Sequence, residues 1–144
     1  MRRVLVVCLG NICRSPIGEG LLQHHASRSS LKIFVDSAGT SAWHQGNEPD
    51  PRSSDVMLRH GHSIANQRSR PLIEQDFFTF DHILVMDSQN FLDVNAFPKG
   101  TAKVERFIDG VDVPDPYYGE GDGFQHVYDM LNQSAKVWIE KWMA

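Results

Sequence analysis

Both cysteines of this 144-residue chain, Cys8 and Cys13, stand in one short stretch, VCLGNICRSP from Val7 to Pro16. The stretch follows a short apolar run and leads into Ser15-Pro16, a pair that suits the N-cap and first position of a helix. A loop between a strand and a helix N-terminus presents unpaired backbone N–H groups and the positive end of the helix dipole. Gly10 permits a backbone conformation with positive φ, and Asn11 is among the few other residues that tolerate one. The segment from Cys8 to Ser15, including Leu9 and Ile12, is therefore expected to curl into a nest of N–H groups around a tetrahedral oxyanion. Arg14 adds a planar fork able to grip two oxygens of that anion. A thiol at the base of such a cradle feels the field that attracts the anion, which favours its thiolate form. One loop thus supplies a nucleophile in Cys8, a cradle, and a charge neutraliser in Arg14.

Each of these residues also has a plainer use. A cysteine at a strand end is ordinarily a small buried hydrophobe. The combination separates the readings: cysteine, five further residues, arginine, then Ser15 and Pro16, all directly after a strand. A metal site is disfavoured, because no cysteine follows Cys13 and the four-residue gap between the pair is not a zinc-knuckle spacing. His24 and His25 fall within the first predicted helix and are expected to face solvent.

The elements that must hold this loop are legible in outline. Arg3 to Val7 reads as a strand buried on both faces, and Ile17, Leu21 and Leu22 begin an apolar helical stripe toward Ala26. Lys32 to Val35 reads as a second strand, followed by the loop SAGTSAW. Pro51 to His60 reads as a helix stopped by Gly61, and Pro71 to Phe78 as a shorter helix. His82 to Met86, Ser88 to Ala96 and Lys103 to Phe107 give strand, helix, strand. Phe124, Val127, Tyr128, Leu131, Ala135, Trp138 and Trp142 recur at helical spacing, with Asp122 and Gln125 imitating a capping box. Before that helix lies a long loop, DGVDVPDPYYGEG, of the kind that is usually functional. The alternation predicts an α/β domain with a parallel sheet and a ligand site beyond the carboxyl ends of the strands, where Cys8 falls.

Composition narrows the class. A chain of this length is expected to form a single domain, burying roughly two-thirds of its unfolded surface. The net charge of −4 offers no basic surface for nucleic acid or for a membrane. The apolar N-terminal run stops at Leu9, and Arg14 arrives before any small-residue cleavage site, which argues against a signal peptide. Two cysteines are too few for a disulfide framework, so a cytoplasmic location with reduced thiols is expected.

VCLGNICRSP resembles, nearly residue for residue, the phosphate-binding loop of the low-molecular-weight protein tyrosine phosphatases. DPYYG, from Asp115 to Gly119, is similar to that family's second signature, and the resemblance continues through DSAGTSAW and the HILVMD strand along essentially the whole chain. It implies a three-layer fold, a four-stranded parallel sheet flanked by helices on both faces, with the phosphate-binding loop after strand 1. It also implies a phosphocysteine mechanism with no cofactor. Phosphotyrosine-containing proteins are the implied partners, and inorganic phosphate is the implied product and inhibitor.

Asp115 is the candidate general acid and base, since a phenol with a pKa near ~10 leaves faster when protonated. Its Asp-Pro setting would ordinarily mark only a turn; the match of Val113 to Tyr118 with the family overrides that reading. In the family, Asn11 and Ser37 help to hold the loop, and Ser15 can donate its hydroxyl to the Cys8 thiolate. The family's supporting histidine aligns with Asn66, with His60 and His62 nearby, a departure in the outer network. Cys13 is placed to trap a sulfenic acid on Cys8 as a reversible disulfide, or else only packs beneath the loop. Trp43, Tyr117 and Tyr118 are the expected aromatic walls, with Leu9 and Ile12 at the rim. Tyr117 and Tyr118 are also candidates for phosphorylation or for contacts in a weak homodimer.

Two rival readings use a similar loop. Arsenate reductases need a further redox pair, and no cysteine follows Cys13. A carrier domain of a sugar phosphotransferase system holds phosphate on a loop cysteine without hydrolysing it, and would need neither Asp115 nor aromatic walls.

Overall fold

The computed structural model describes residues 1–119 and 122–144. The last two residues of the long loop, 120 and 121, therefore lie outside the described residues. Four parallel strands, β1 (Arg2–Cys8), β2 (Ile33–Gly39), β3 (His82–Val85) and β4 (Lys103–Arg106), form one sheet in the order β2-β1-β3-β4. Val4, Leu5, Val6 and Val7 of the central strand β1 are fully buried, because side chains of alternate residues enter cores on opposite faces. On one face Val4 and Val6 pack with α1 (Arg14–Ser27), α2 (Pro51–Arg59) and α5 (Gly123–Met143). On the other, Leu5 and Val7 pack with Phe77 of α3 (Asp76–Thr79), Phe80, and Val94 of α4 (Ser88–Asn95). The three-layer α/β architecture expected from the sequence is the one observed.

The predicted periodicity of α5 holds, with Val127, Leu131 and Ala135 fully buried. Its end is pinned to the sheet by Trp138 Nε1 and Ser134 Oγ, which both donate to the Phe107 carbonyl at 2.7 Å.

Several local expectations are corrected. Helix α1 starts at Arg14 with Cys13 as its N-cap, so Ser15 lies inside the first turn and caps nothing. The Ser15 hydroxyl is instead spent on the loop that precedes it. Asp122 does stand at the N-cap of α5 but makes no side-chain cap bond; Gln125 Nε2 donates to Asp129 Oδ1 at 2.9 Å rather than back to the cap. Strand β2 runs on through Ser37, Ala38 and Gly39, residues expected in a loop. The helix predicted from Pro71 shrinks to four residues of α3. Its first part is extended because Gly39 N–H donates to the Arg70 carbonyl and Leu72 N–H to the Gly39 carbonyl, each at 2.8 Å. His24 and His25 are half-buried: His24 packs edge-on against His62 at 4.3 Å, and His25 Nε2 lies 2.7 Å from Asn132 Oδ1.

Gly39 is where the sheet meets the Cys8 loop. A Cβ there would stand 2.8 Å from the Leu9 carbonyl oxygen and 2.9 Å from that of Ser41, both backbone atoms. Gly39→Ala is therefore expected to cost about 1–3 kcal/mol of stability by overpacking, read as a lowered urea midpoint at unchanged slope.

Candidate active site

Cys8 is the last residue of β1 and is 2% exposed. The chain then turns through Asn11, which takes φ +56°, while Gly10 does not adopt positive φ. A Cβ at residue 10 would stand 2.9 Å from the His44 ring, so a side chain there would displace that ring. Nearly every carbonyl of the loop is drawn outward. Cys8 O accepts from Thr40 N–H at 2.9 Å, Leu9 O from Ser41 N–H at 3.0 Å, and Ile12 O from Asp50 N–H at 2.8 Å. Gly10 O accepts from the Ser69 hydroxyl at 3.0 Å and Cys13 O from the Ser53 hydroxyl at 3.1 Å. The N–H groups of Gly10, Asn11, Ile12 and Cys13 have no backbone acceptor among the described residues. This is the donor nest that the sequence predicts.

A chain of side-chain hydrogen bonds holds the loop from behind. Ser15 Oγ lies 3.1 Å from Cys8 Sγ and receives Asn11 Nδ2–H at 2.8 Å. Asn11 Nδ2 also donates to Ser37 Oγ at 2.9 Å, and Asn11 Oδ1 accepts from Arg70 N–H at 3.0 Å. Ser37 in turn donates to Glu19 Oε1 at 2.7 Å. Asn66 is exposed and makes no hydrogen bond to this network among the described residues, so the outer support comes from Glu19 and the Arg70 backbone.

Arg14 is 2% exposed. Its Nη1 donates to Asp87 Oδ2 at 2.6 Å and to the Val113 carbonyl at 2.9 Å, and Nη2 lies 3.6 Å from Asp115 Oδ2. The Nε–H is buried without a partner among the described residues. An unpaired guanidinium donor at the edge of an anion nest is a site for one more acceptor. Burial alone would lower the Arg14 pKa, but the negative charges of Cys8, Asp87 and Asp115 outweigh it and hold the group above its ordinary value.

Asp115 is one-third exposed, and its Oδ1 accepts from Tyr117 N–H at 3.1 Å, a local turn that aims the other oxygen at Arg14. Cys8, Leu9, Ile12, Cys13, Arg14, Trp43, Asp115, Tyr117 and Tyr118 all line one crevice, as expected, and His44 joins them. Trp43 and Tyr118 stand up at its rim, 77% and 88% exposed, while Tyr117 is held by Arg52, whose guanidinium lies 5.6 Å from the ring centroid and donates to the Tyr117 carbonyl. Cys13 is a buried free thiol; burial pushes its pKa up, and Asp50 and Cys8 add to the shift. Among the described residues no cluster of three or more metal-ligating side chains exists.

Three contributors were missed from sequence. Asp87 could have been found, being a carboxylate at the carboxyl end of the strand beside β1. Glu19 was also visible, as a charge four residues after Ser15 on a helix whose neighbouring positions are apolar. His44 carries no such signal, because it reaches Gly10 from a turn whose path is set by tertiary contacts.

The family model described as low molecular weight phosphotyrosine protein phosphatase matches residues 3–143. A low molecular weight phosphotyrosine protein phosphatase of Schizosaccharomyces pombe is 43% identical over 140 residues, covering 90% of this chain and 89% of the relative. The crystal structure of a protein tyrosine phosphatase from Entamoeba histolytica, with Hepes in its active site, superposes with a TM-score of 0.92 at 35% identity, covering 99% of this chain and 97% of that one. A drosophila arginine phosphatase superposes equally well, TM-score 0.92, at 30% identity over all of this chain and 99% of the other. Loop, crevice and kinship agree: this chain belongs to the low molecular weight phosphotyrosine protein phosphatase family and is a protein-tyrosine phosphatase.

Proposed function

We propose that hydrolysis runs through a phosphocysteine on Cys8. The observation that carries this reading is the Cys8 sulfur at the floor of a nest with five carbonyls bonded away from it, with Arg14 at its side. The phosphoryl oxygens take the free N–H groups and the Arg14 guanidinium, which neutralise charge in the transition state without a metal. The Cys8 thiolate attacks phosphorus in line and forms the S–P bond as the P–O bond to the aryl oxygen breaks. Asp115 gives its proton to that oxygen. In the second step Asp115, now ionised, takes a proton from water, whose oxygen displaces the Cys8 sulfur and releases phosphate. Ser15 steadies the sulfur as both nucleophile and leaving group.

Substrate choice follows from depth and from the walls. A sulfur buried at the bottom of the crevice is reached by an ester that carries its phosphate on an extended flat ring, flanked by Ile12, Trp43 and Tyr117. Phosphotyrosine-containing proteins are the proposed substrates, and inorganic phosphate is the proposed product inhibitor. The arginine phosphatase among the structural relatives makes phosphoarginine the natural comparison substrate. Residues 1–144 act as one domain in a reducing, cytoplasmic setting. Tyr117 and Tyr118 at the rim are where a weak homodimer or a modifying kinase would touch the site. Cys13 caps an oxidised Cys8: its thiol displaces hydroxide from the sulfenic acid, which leaves as water with the Cys13 proton, and a disulfide forms.

Rapid mixing with nitrophenyl phosphate is expected to give a burst of one nitrophenol per enzyme and, on acid quench of labelled substrate, label on Cys8. A burst that survives in Cys8→Ser overturns the reading. Asp115→Asn is expected to lower the rate of the first step, read as phenol released in the first turnover, by about 10²–10⁴-fold for phosphotyrosine, and by much less for nitrophenyl phosphate, because nitrophenolate leaves without a proton. Cys13→Ser is expected to retain most reduced activity yet to lose recovery by dithiothreitol after peroxide. Full recovery of that variant removes the protective role.

A further inference from the structure

One buried carboxylate takes no part in the steps above. Glu19 lies one turn beyond Ser15 on α1, is 8% exposed, and forms no ion pair among the described residues. Arg70, whose charge acts on it, is itself paired with Asp36 at 3.2 Å and Asp76 at 3.0 Å. A polar cleft lined by Glu19, Gln23, Asp36, Asn66, Gln67 and Arg68 connects the carboxyl group to solvent.

The hydrogens of the network behind the loop can be assigned by counting. An ionised carboxylate only accepts, so the single hydroxyl hydrogen of Ser37 goes to Glu19 Oε1 at 2.7 Å. The Ser37 lone pairs then face Asn11 Nδ2 at 2.9 Å. That orientation of the Asn11 amide is reinforced on its other side, where Oδ1 accepts from Arg70 N–H at 3.0 Å. The same amide nitrogen donates to Ser15 Oγ at 2.8 Å, which leaves the Ser15 hydrogen free to point at Cys8 Sγ, 3.1 Å away.

We propose that Glu19 is a positioning residue whose carboxylate sets the direction of the Ser37–Asn11–Ser15 relay and so keeps the Ser15 hydroxyl hydrogen on the Cys8 sulfur. The proposal rests on Cys8 being the nucleophile. A carboxylic acid at the same place can donate to Ser37 and turn the Ser37 hydrogen toward Asn11, where it opposes Nδ2–H. The relay then has two competing hydrogen patterns, and the sulfur loses its fixed donor for part of the time.

The carboxyl group titrates where this matters. Burial raises its pKa to about 7; the Ser37 hydrogen bond and Arg70 pull it down, and Asp36 on β2 pushes it up. Arg68 lines the mouth of the cleft. Raised from the ordinary range, Glu19 is protonated below neutrality and ionised above it, so the single-pattern relay is present above about pH 7 and is lost as pH falls through that value.

The test is the rate at which iodoacetamide alkylates Cys8, measured beside steady-state turnover in the wild type, Glu19→Ala and Glu19→Gln. Glu19→Ala is expected to slow alkylation and kcat by about tenfold at pH 7.5, with KM little changed, the worth of a misdirected bond to a charged sulfur. Glu19→Gln presents an amide oxygen to Ser37 at every pH and is expected to recover most of the rate lost in the alanine variant. Because the amide does not titrate, its alkylation rate relative to wild type should rise as pH falls from 8 to 6. A flat ratio together with normal alkylation of the folded alanine variant overturns the proposal. Should the alanine variant not fold, the ratio for Glu19→Gln decides alone. Failure of the underlying reading looks different: wild-type Cys8 would then resist alkylation, or modification at Cys8 would leave turnover intact.

Discussion

A peptide group that points its N–H into a crevice must point its carbonyl out of it, and a carbonyl buried beneath a surface needs a donor. In the Cys8–Cys13 segment that requirement falls on five carbonyls, and the donors come from far along the chain: Thr40, Ser41, Asp50, Ser53 and Ser69. The loop is rigid because these segments converge on it, and they converge because each has a polar group to satisfy. Within the Cys8–Cys13 segment Asn11 takes up a left-handed backbone, and its amide is held by three hydrogen bonds. Local strain and distant anchoring are two sides of one arrangement.

Charge is distributed around the crevice with the same economy. A fully buried guanidinium is costly unless it is paired and hydrogen-bonded. Asp87 supplies the pair from the rigid end of β3, where its other oxygen accepts from Asn90 N–H and caps α4. Asp115 approaches the same guanidinium from a loop and at a longer distance, one-third open to solvent. The difference suits their parts in the proposed chemistry: one carboxylate fixes the cation permanently, and the other has to exchange protons with an ester and with water. Trp43 and Tyr118 at the rim are exposed far beyond what packing would select, which fits the substrate-wall role proposed for them.

Strand β1 transmits rigidity to the floor of the site. Its residues alternate between two hydrophobic cores, so neither face can shift without opening a cavity. Cys8 is the last residue of that strand, and its register against β2 ends at Gly39, where the lack of a side chain lets the Leu9 and Ser41 carbonyls come close. The proposed nucleophile is thus set by a central strand, while the proposed substrate walls and acid are carried on loops.

The spacing of Cys8, Arg14 and Ser15 after an apolar strand made the site legible in sequence, since chemistry of this kind is written into contiguous residues. Helix α5 and the alternation of strands and helices were legible for a similar reason: periodicity over many residues records which face is buried. What failed were the short features, the Ser15 and Asp122 caps, the helix at Pro71 and the end of β2. There a hydroxyl, a carboxylate or a backbone amide had two partners within reach, and a distant residue won. The composition of the outer shell, Asp87 on Arg14, His44 against Gly10 and Glu19 behind Ser37, was settled only by tertiary structure. A sequence records the types of residue that can bond, but the choice among them depends on which groups burial leaves without water, and that is decided when the chain closes on itself.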